Sequence, residues 1–149
     1  MRRRNDPRQI AKLVEVQRAR RAAADAALAA ARDGALQARA QEGVAREGAS
    51  AAQDDWFAFL ARTGFAPDYM RALAVRLVAR EAIADQAAEQ HRAAERAHLH
   101  CQEDWRLSEA QVKLTEASLD RARRDASRDR EERRLGELSD RVSYAWVSR

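Results

Sequence analysis

The sequence predicts an all-α fold, a long antiparallel two-helix coiled-coil hairpin, and three observations carry that expectation. Positions 10, 17, 24, 31, 38, 45, 52 and 59 hold Ile, Gln, five alanines and Phe, an apolar stripe at strict seven-residue spacing broken only by Gln17. A second stripe keeps the same period on Ala84, His91, His98, Trp105, Val112, Leu119 and Ala126. Between the two lies the one turn punctuated by both glycine and proline, Thr63-Gly64-Phe65-Ala66-Pro67. A pair of helices has no second layer to enclose the concave pocket that enzymes use, so the chain is expected to act through what it touches.

The first helix is expected over about residues 7–62. Asp6-Pro7-Arg8-Gln9 supplies an aspartate N-cap, proline at the first helical position and glutamine at N3, which together satisfy the orphan amides of a starting helix. Gly43, Gly48 and Ser50 form a weak point, and Ser50-Ala51-Ala52-Gln53 resembles a capping box that would begin a separate helix. The unbroken heptad phase through Ala38, Ala45, Ala52 and Phe59 favours one continuous helix. Gly64 is the expected left-handed stop, the turn covers 63–67, and Pro67-Asp68 restart the chain with proline at N1 and a carboxylate favourable to the helix dipole.

The second helix is expected over about 67–140, with a tail at 141–149. At 1.5 Å per residue the arms would span roughly 85 Å and 110 Å, so the second must overhang the first. The tail Val142-Ser143-Tyr144-Ala145-Trp146-Val147 continues a helical stripe from Leu135 and Leu138, yet it also alternates like a strand, and both conformations stay open. The whole chain, 1–149, is expected to form a single hairpin.

Composition fits a thin seam better than a globular core. Aromatic residues are 5% and charged residues 35% of the chain, and alanine dominates the 46% that is hydrophobic. Alanine removes little area from water, so at about 25 cal/mol per Å² the seam contributes little and helix propensity carries much of the stability. Val14 and Leu28 on the first arm, with Trp105, Val112 and Leu119 on the second, are the larger knobs expected to fix register. Leu107, Ala110, Leu114 and Ala117 lie about 180° around the second helix from that seam, so this arm is apolar on two faces and one of them lacks a partner within the hairpin.

All but two of the 28 basic residues are arginine, and the net charge is +4. Residues 1–21 alone carry Arg2, Arg3, Arg4, Arg8, Lys12, Arg18, Arg20 and Arg21 against Asp6 and Glu15. A basic end of this kind suits phosphate contacts, but it lacks interleaved aromatics and side chains aimed at bases, so an acidic protein surface serves equally well and no nucleic acid is expected. Cys101 is the lone cysteine, which points to a reducing compartment, the cytoplasm. No stretch approaches the roughly 18 uncharged residues of a membrane span, and the basic start is followed by no apolar signal region.

The search for catalytic groups returns none. His98, His100 and Cys101 are close in sequence, but His98 and His100 point about 200° apart on a helix, and the two ligands left do not make a closed metal site. His91 and His98 fall on the seam, where polar residues set register. No phosphate loop, nucleophile elbow or paired carboxylates occur, so neither enzyme activity, metal nor cofactor is expected. Five of the eight aromatics, Trp56, Phe57, Phe59, Phe65 and Tyr69, gather at the turn. They are expected to pack as a small knot, with one or two left over as a contact site.

Two long helices joined near the middle of the chain, a tryptophan within the second arm, and the charge-dense run Arg128-Asp129-Arg130-Glu131-Glu132-Arg133-Arg134-Leu135-Gly136-Glu137-Leu138 resemble the FliJ/YscO family. These are the central-stalk proteins of flagellar and type III secretion export machines. The resemblance implies that both termini enter the pore of a hexameric export ATPase and promote its assembly and activity, at the base of a membrane-embedded apparatus. It assigns Arg2, Arg3, Arg4, Arg8, Lys12, Arg133 and Arg134 to the ATPase ring. It assigns Trp56, Phe57, Phe65 and Tyr69 to the cytoplasmic domain of the export gate. Carrying secretion chaperones is compatible with the same role, and Tyr144 and Trp146 would be pore contacts. The competing expectation is a cytoplasmic coiled-coil scaffold that self-associates through the Leu107/Leu114 face.

Overall fold

Two helices account for nearly every residue that the computed structural model describes, namely 6–62, 64 and 66–147. Helix α1 spans Pro7–Leu60 and α2 spans Pro67–Val147, and no strand occurs among the described residues. The two pack against each other as an all-α helical hairpin. Asp6 caps α1 as expected: its Oδ1 accepts the Arg8 amide at 2.9 Å and its carbonyl accepts the Gln9 and Ile10 amides. At the start of α2 the Ala66 carbonyl accepts the Met70 amide at 3.0 Å, and Asp68 lies in the first turn, where the dipole favours a carboxylate.

Both far ends differ from expectation. Helix α1 stops at Leu60 rather than near 62, and the chain tightens there as the Phe59 carbonyl accepts the Arg62 amide at 3.0 Å. No glycine among the described residues has a positive φ, so a left-handed Gly64 cap does not end the helix. Helix α2 does not stop near 140. It continues through the tail to Val147, which settles the helix-or-strand alternative in favour of the helix. Extending a long helix costs only propagation, because nucleation is already met, and Arg, Glu and Leu are strong helix formers. The Gly43/Gly48 weak point does not divide α1.

Burial follows the heptad. On α1 the half-buried and buried positions, Ala11 and Gly48 apart, step alternately by three and four: 7, 10, 14, 17, 21, 24, 28, 31, 35, 38, 42, 45, 49, 52, 56 and 59. The expected stripe is every second member of that series. Its companion, Pro7, Val14, Arg21, Leu28, Ala35, Glu42, Ala49 and Trp56, holds the expected knobs Val14 and Leu28 but includes two charges that break its hydrophobic pattern. On α2 the same rule runs through 84, 87, 91, 94, 98, 101, 105, 108, 112, 115, 119, 122, 126 and 129.

The contacts divide into two units, Met1–Ala24 with Trp105–Arg149 and Asp25–Asp104, called here the terminal unit and the loop unit. In the terminal unit Val14, Val112 and Leu119 form the buried apolar centre. Arg18 donates to Glu116 Oε1 at 2.7 Å, and Arg21 Nε lies 2.8 Å from Glu109 Oε2. The second pair is bent away from hydrogen-bond geometry, so it acts as charge against charge. In the loop unit the buried residues are Ala52, Leu73, Ala87 and, unusually, Glu42. Gly48 is the one glycine where space is used: an added Cβ would lie 3.5 Å from Arg80 Nη1, so the arginine crosses the seam over it.

Candidate functional site

The two units expose different chemistry, and each is built from its own residues. In the terminal unit α1 presents Arg8 and Lys12 to solvent, and α2 presents Arg133 and Arg134. The Arg133 Nε donates to the Asp129 carbonyl at 3.2 Å, which holds its stem along the helix. Arg134 and Arg141 have no hydrogen-bond or ion-pair partner among the described residues. Arg2, Arg3 and Arg4, assigned to the same surface from sequence, lie outside the described residues.

At the turn end of the loop unit one aromatic pair is found among the described residues. Phe59 and Tyr69 meet edge to face, ring centroids 5.3 Å apart at 66°. Trp56 is half-buried on the seam as a companion-stripe residue, so it packs rather than projects. Phe57 faces solvent at 58% exposure, with Leu60 three residues on and exposed on the same side of α1. Tyr69 and Met70 are exposed in the first turn of α2. Phe65 lies outside the described residues. Of the four aromatics expected at a gate contact, Phe57 and Tyr69 are the two placed in solvent. Leu60 and Met70 are exposed at the same end of the unit and were not singled out from sequence, because each also fits a helix-end position.

The polar seam residues form a defined cluster in the loop unit. Glu42, 8% exposed, sits 2.6 Å from His91 Nδ1 and 2.5 Å from Arg46 Nη2, and His91 Nε2 reaches Glu95 at 3.3 Å. Every heteroatom of this buried charge thus meets an opposite or hydrogen-bonding group, the condition for tolerating it. His98 is half-buried on the seam and His100 is exposed beside Asp104 at 3.6 Å. Among the described residues no group of three or more His, Cys, Asp or Glu is placed to hold a metal ion. Cys101 is free and half-buried.

On the outside of the loop unit, side-chain hydrogen bonds from Arg96 and then Arg92 hold the Glu89 carboxyl below its ordinary value of 4.5. Their nitrogens lie 3.1 Å and 3.0 Å away. The outer face of α2 in the terminal unit is left in solvent: Leu107 and Leu114 are 63% and 68% exposed. No helix among the described residues is long and apolar enough to cross a membrane. Compared with known proteins, the chain matches no family model, no curated protein and no solved structure.

Proposed function

We propose that this chain is the central stalk component of a type III protein export apparatus, in the manner of the FliJ/YscO family that its sequence resembles. In this reading the terminal unit binds a hexameric export ATPase and the loop unit meets the cytoplasmic domain of the export gate, with the chain acting in the cytoplasm at the base of the secretion apparatus. The observation that supports it is that each unit exposes groups a partner could use. Arg8, Lys12, Arg133 and Arg134 are exposed on the terminal unit beside apolar residues such as Leu107, Leu114 and Trp146, while Phe57, Leu60, Tyr69 and Met70 are exposed at the turn end of the loop unit. A connector needs a contact surface in each unit, with exposed charge steering association and exposed apolar side chains anchoring it. In this reading the role is coupling rather than catalysis.

The test is ATP hydrolysis by the purified export ATPase of the same organism, with and without this chain at substoichiometric ratios, while hexamer formation is followed in parallel. Stimulation together with ring assembly is the expected result. The absence of both binding and stimulation would refute the stalk reading. A second reading has its own support: the solvent-facing Leu107 and Leu114 suit a scaffold that pairs with itself. It predicts a dimer in sedimentation that Leu107→Ser/Leu114→Ser makes monomeric, whereas the stalk reading predicts a monomer from the start.

A further inference from the structure

One stretch of the loop unit is built almost entirely from alanine. In the three-four series of α1 the residues at 31, 35, 38, 45, 49 and 52 are alanine, and only Glu42 differs. On α2 the series from 84 to 94 is Ala84, Ala87, His91 and Ala94, so only His91 differs. Methyl groups remove little area from water, so the apolar contribution here is shallow. The polar contact that joins the helices in this stretch, Glu42 Oε2 to His91 Nδ1 at 2.6 Å, carries correspondingly more weight.

The protons available to that contact are limited. Nδ1 of His91 meets Glu42 of α1, and Nε2 lies 3.3 Å from Glu95 Oε1 on its own helix. A carboxylate only accepts, and a neutral imidazole has one N–H, so both contacts are hydrogen bonds only when the ring carries two protons. The charges agree. Glu42 and Glu95 bring two negative charges, Arg46 beside Glu42 brings one positive charge, and an imidazolium completes the balance. With a neutral ring the cluster holds one negative charge in excess. The side chains of Glu42 and His91 are 10% and 17% exposed, so water screens them poorly. The neighbouring Arg39 and Arg92 are exposed, and Arg92 is held by Glu89 at 2.8 Å.

We propose that His91 is a proton latch: an imidazolium held between Glu42 and Glu95 fastens the alanine stretch of the loop unit, and raising the pH loosens it. The device lies within the loop unit and holds whether or not the stalk reading does. A folded state that favours the doubly protonated ring takes up a proton on folding. Its contribution is therefore present below the range in which histidines titrate, about pH 5 to 8, and is lost as pH rises through that range. A neutral ring still donates Nδ1–H to Glu42, so the latch weakens rather than vanishes, exchanging a charge-assisted pair for a single hydrogen bond.

The experiment is urea unfolding of the full chain, followed by circular dichroism from about pH 5.5 to pH 8, in wild type, His91→Asn, Glu42→Gln and Glu95→Gln. Asparagine can donate to Glu42 but does not titrate, and the constant cost of the substitution drops out because only the change across pH is read. Over that interval the wild-type folded-to-unfolded ratio is expected to fall about five- to ten-fold more than that of His91→Asn. Glu42→Gln should remove most of this excess by removing the buried charge. Glu95→Gln should remove part of it, because its amide can donate to a neutral Nε2. Equal pH dependence in wild type and His91→Asn would overturn the latch and assign any change to His98 or His100. An excess that survives intact in Glu42→Gln would overturn it as well, and that comparison carries the test alone should His91→Asn fail to fold.

Discussion

Removing His91 while keeping Glu42 is expected to destabilise the hairpin more than removing both. Glu42 is 8% exposed, and its shortest contact to α2 is the 2.6 Å one to His91 Nδ1. In His91→Leu the carboxylate stays in the seam with only Arg46, an i,i+4 pair whose arginine is 70% exposed and is worth about 0.3–0.5 kcal/mol. An unsatisfied buried acceptor costs about 1–3 kcal/mol, and the leucine's own burial pulls the net toward the lower end. That is a fall of about 5- to 150-fold in the folded-to-unfolded ratio. In Glu42→Leu/His91→Leu no buried charge is left, and apolar groups of similar size fill both sides, so stability should return to the wild-type level or exceed it. The assay is urea unfolding followed by circular dichroism, comparing midpoints at equal slope. A single variant as stable as wild type, or a double variant no better than the single, would refute the reasoning. The expected recovery also means that the cluster serves pairing specificity more than stability, the use for which buried polar groups in coiled coils are best attested.

The remaining predictions use the same assay. Gln17 Oε1 is buried without a partner among the described residues, so Gln17→Leu should stabilise by about 1–3 kcal/mol, and a loss would show that the amide is satisfied in solution. Gly43 has nothing within 4 Å of an added Cβ and sits mid-helix, so Gly43→Ala should raise stability by about 0.5–1 kcal/mol; a decrease would mean α1 needs flexibility there. Glu89 titrates below its ordinary 4.5 in the folded chain, so its contribution is present above 4.5 and lost as pH falls through the folded value. Wild type should therefore exceed Glu89→Gln slightly at neutral pH and match it at the acid end, and a gap that persists in acid would contradict the assignment.

The heptad made the fold legible because alanine repeated at 24, 31, 38, 45 and 52 is a period no strand shares. Val14 and Leu28 of the companion stripe were legible, but Arg21 and Glu42 occupy positions that periodicity alone assigns to apolar residues, and their partners Glu109 and His91 explain them. The turn was legible in part: aromatics packing there with one left over was expected, and Phe59 packs on Tyr69 while Phe57 stays in solvent. Of the candidate surface, the basic positions were readable from charge. The tail was not, because Val142, Tyr144 and Trp146 alternate as strand residues do, and only the continuity of α2 sorts Trp146 onto the stripe and Tyr144 away from it.

The claim that each unit has its own partner is tested most directly by site-specific photocrosslinking of the full chain in cells that assemble the export apparatus. A photoreactive residue at Lys12 or Arg133 in the terminal unit is expected to crosslink to the export ATPase, and one at Phe57 or Tyr69 in the loop unit to the export gate. Crosslinks with the partners exchanged, or only between copies of this chain, would contradict it.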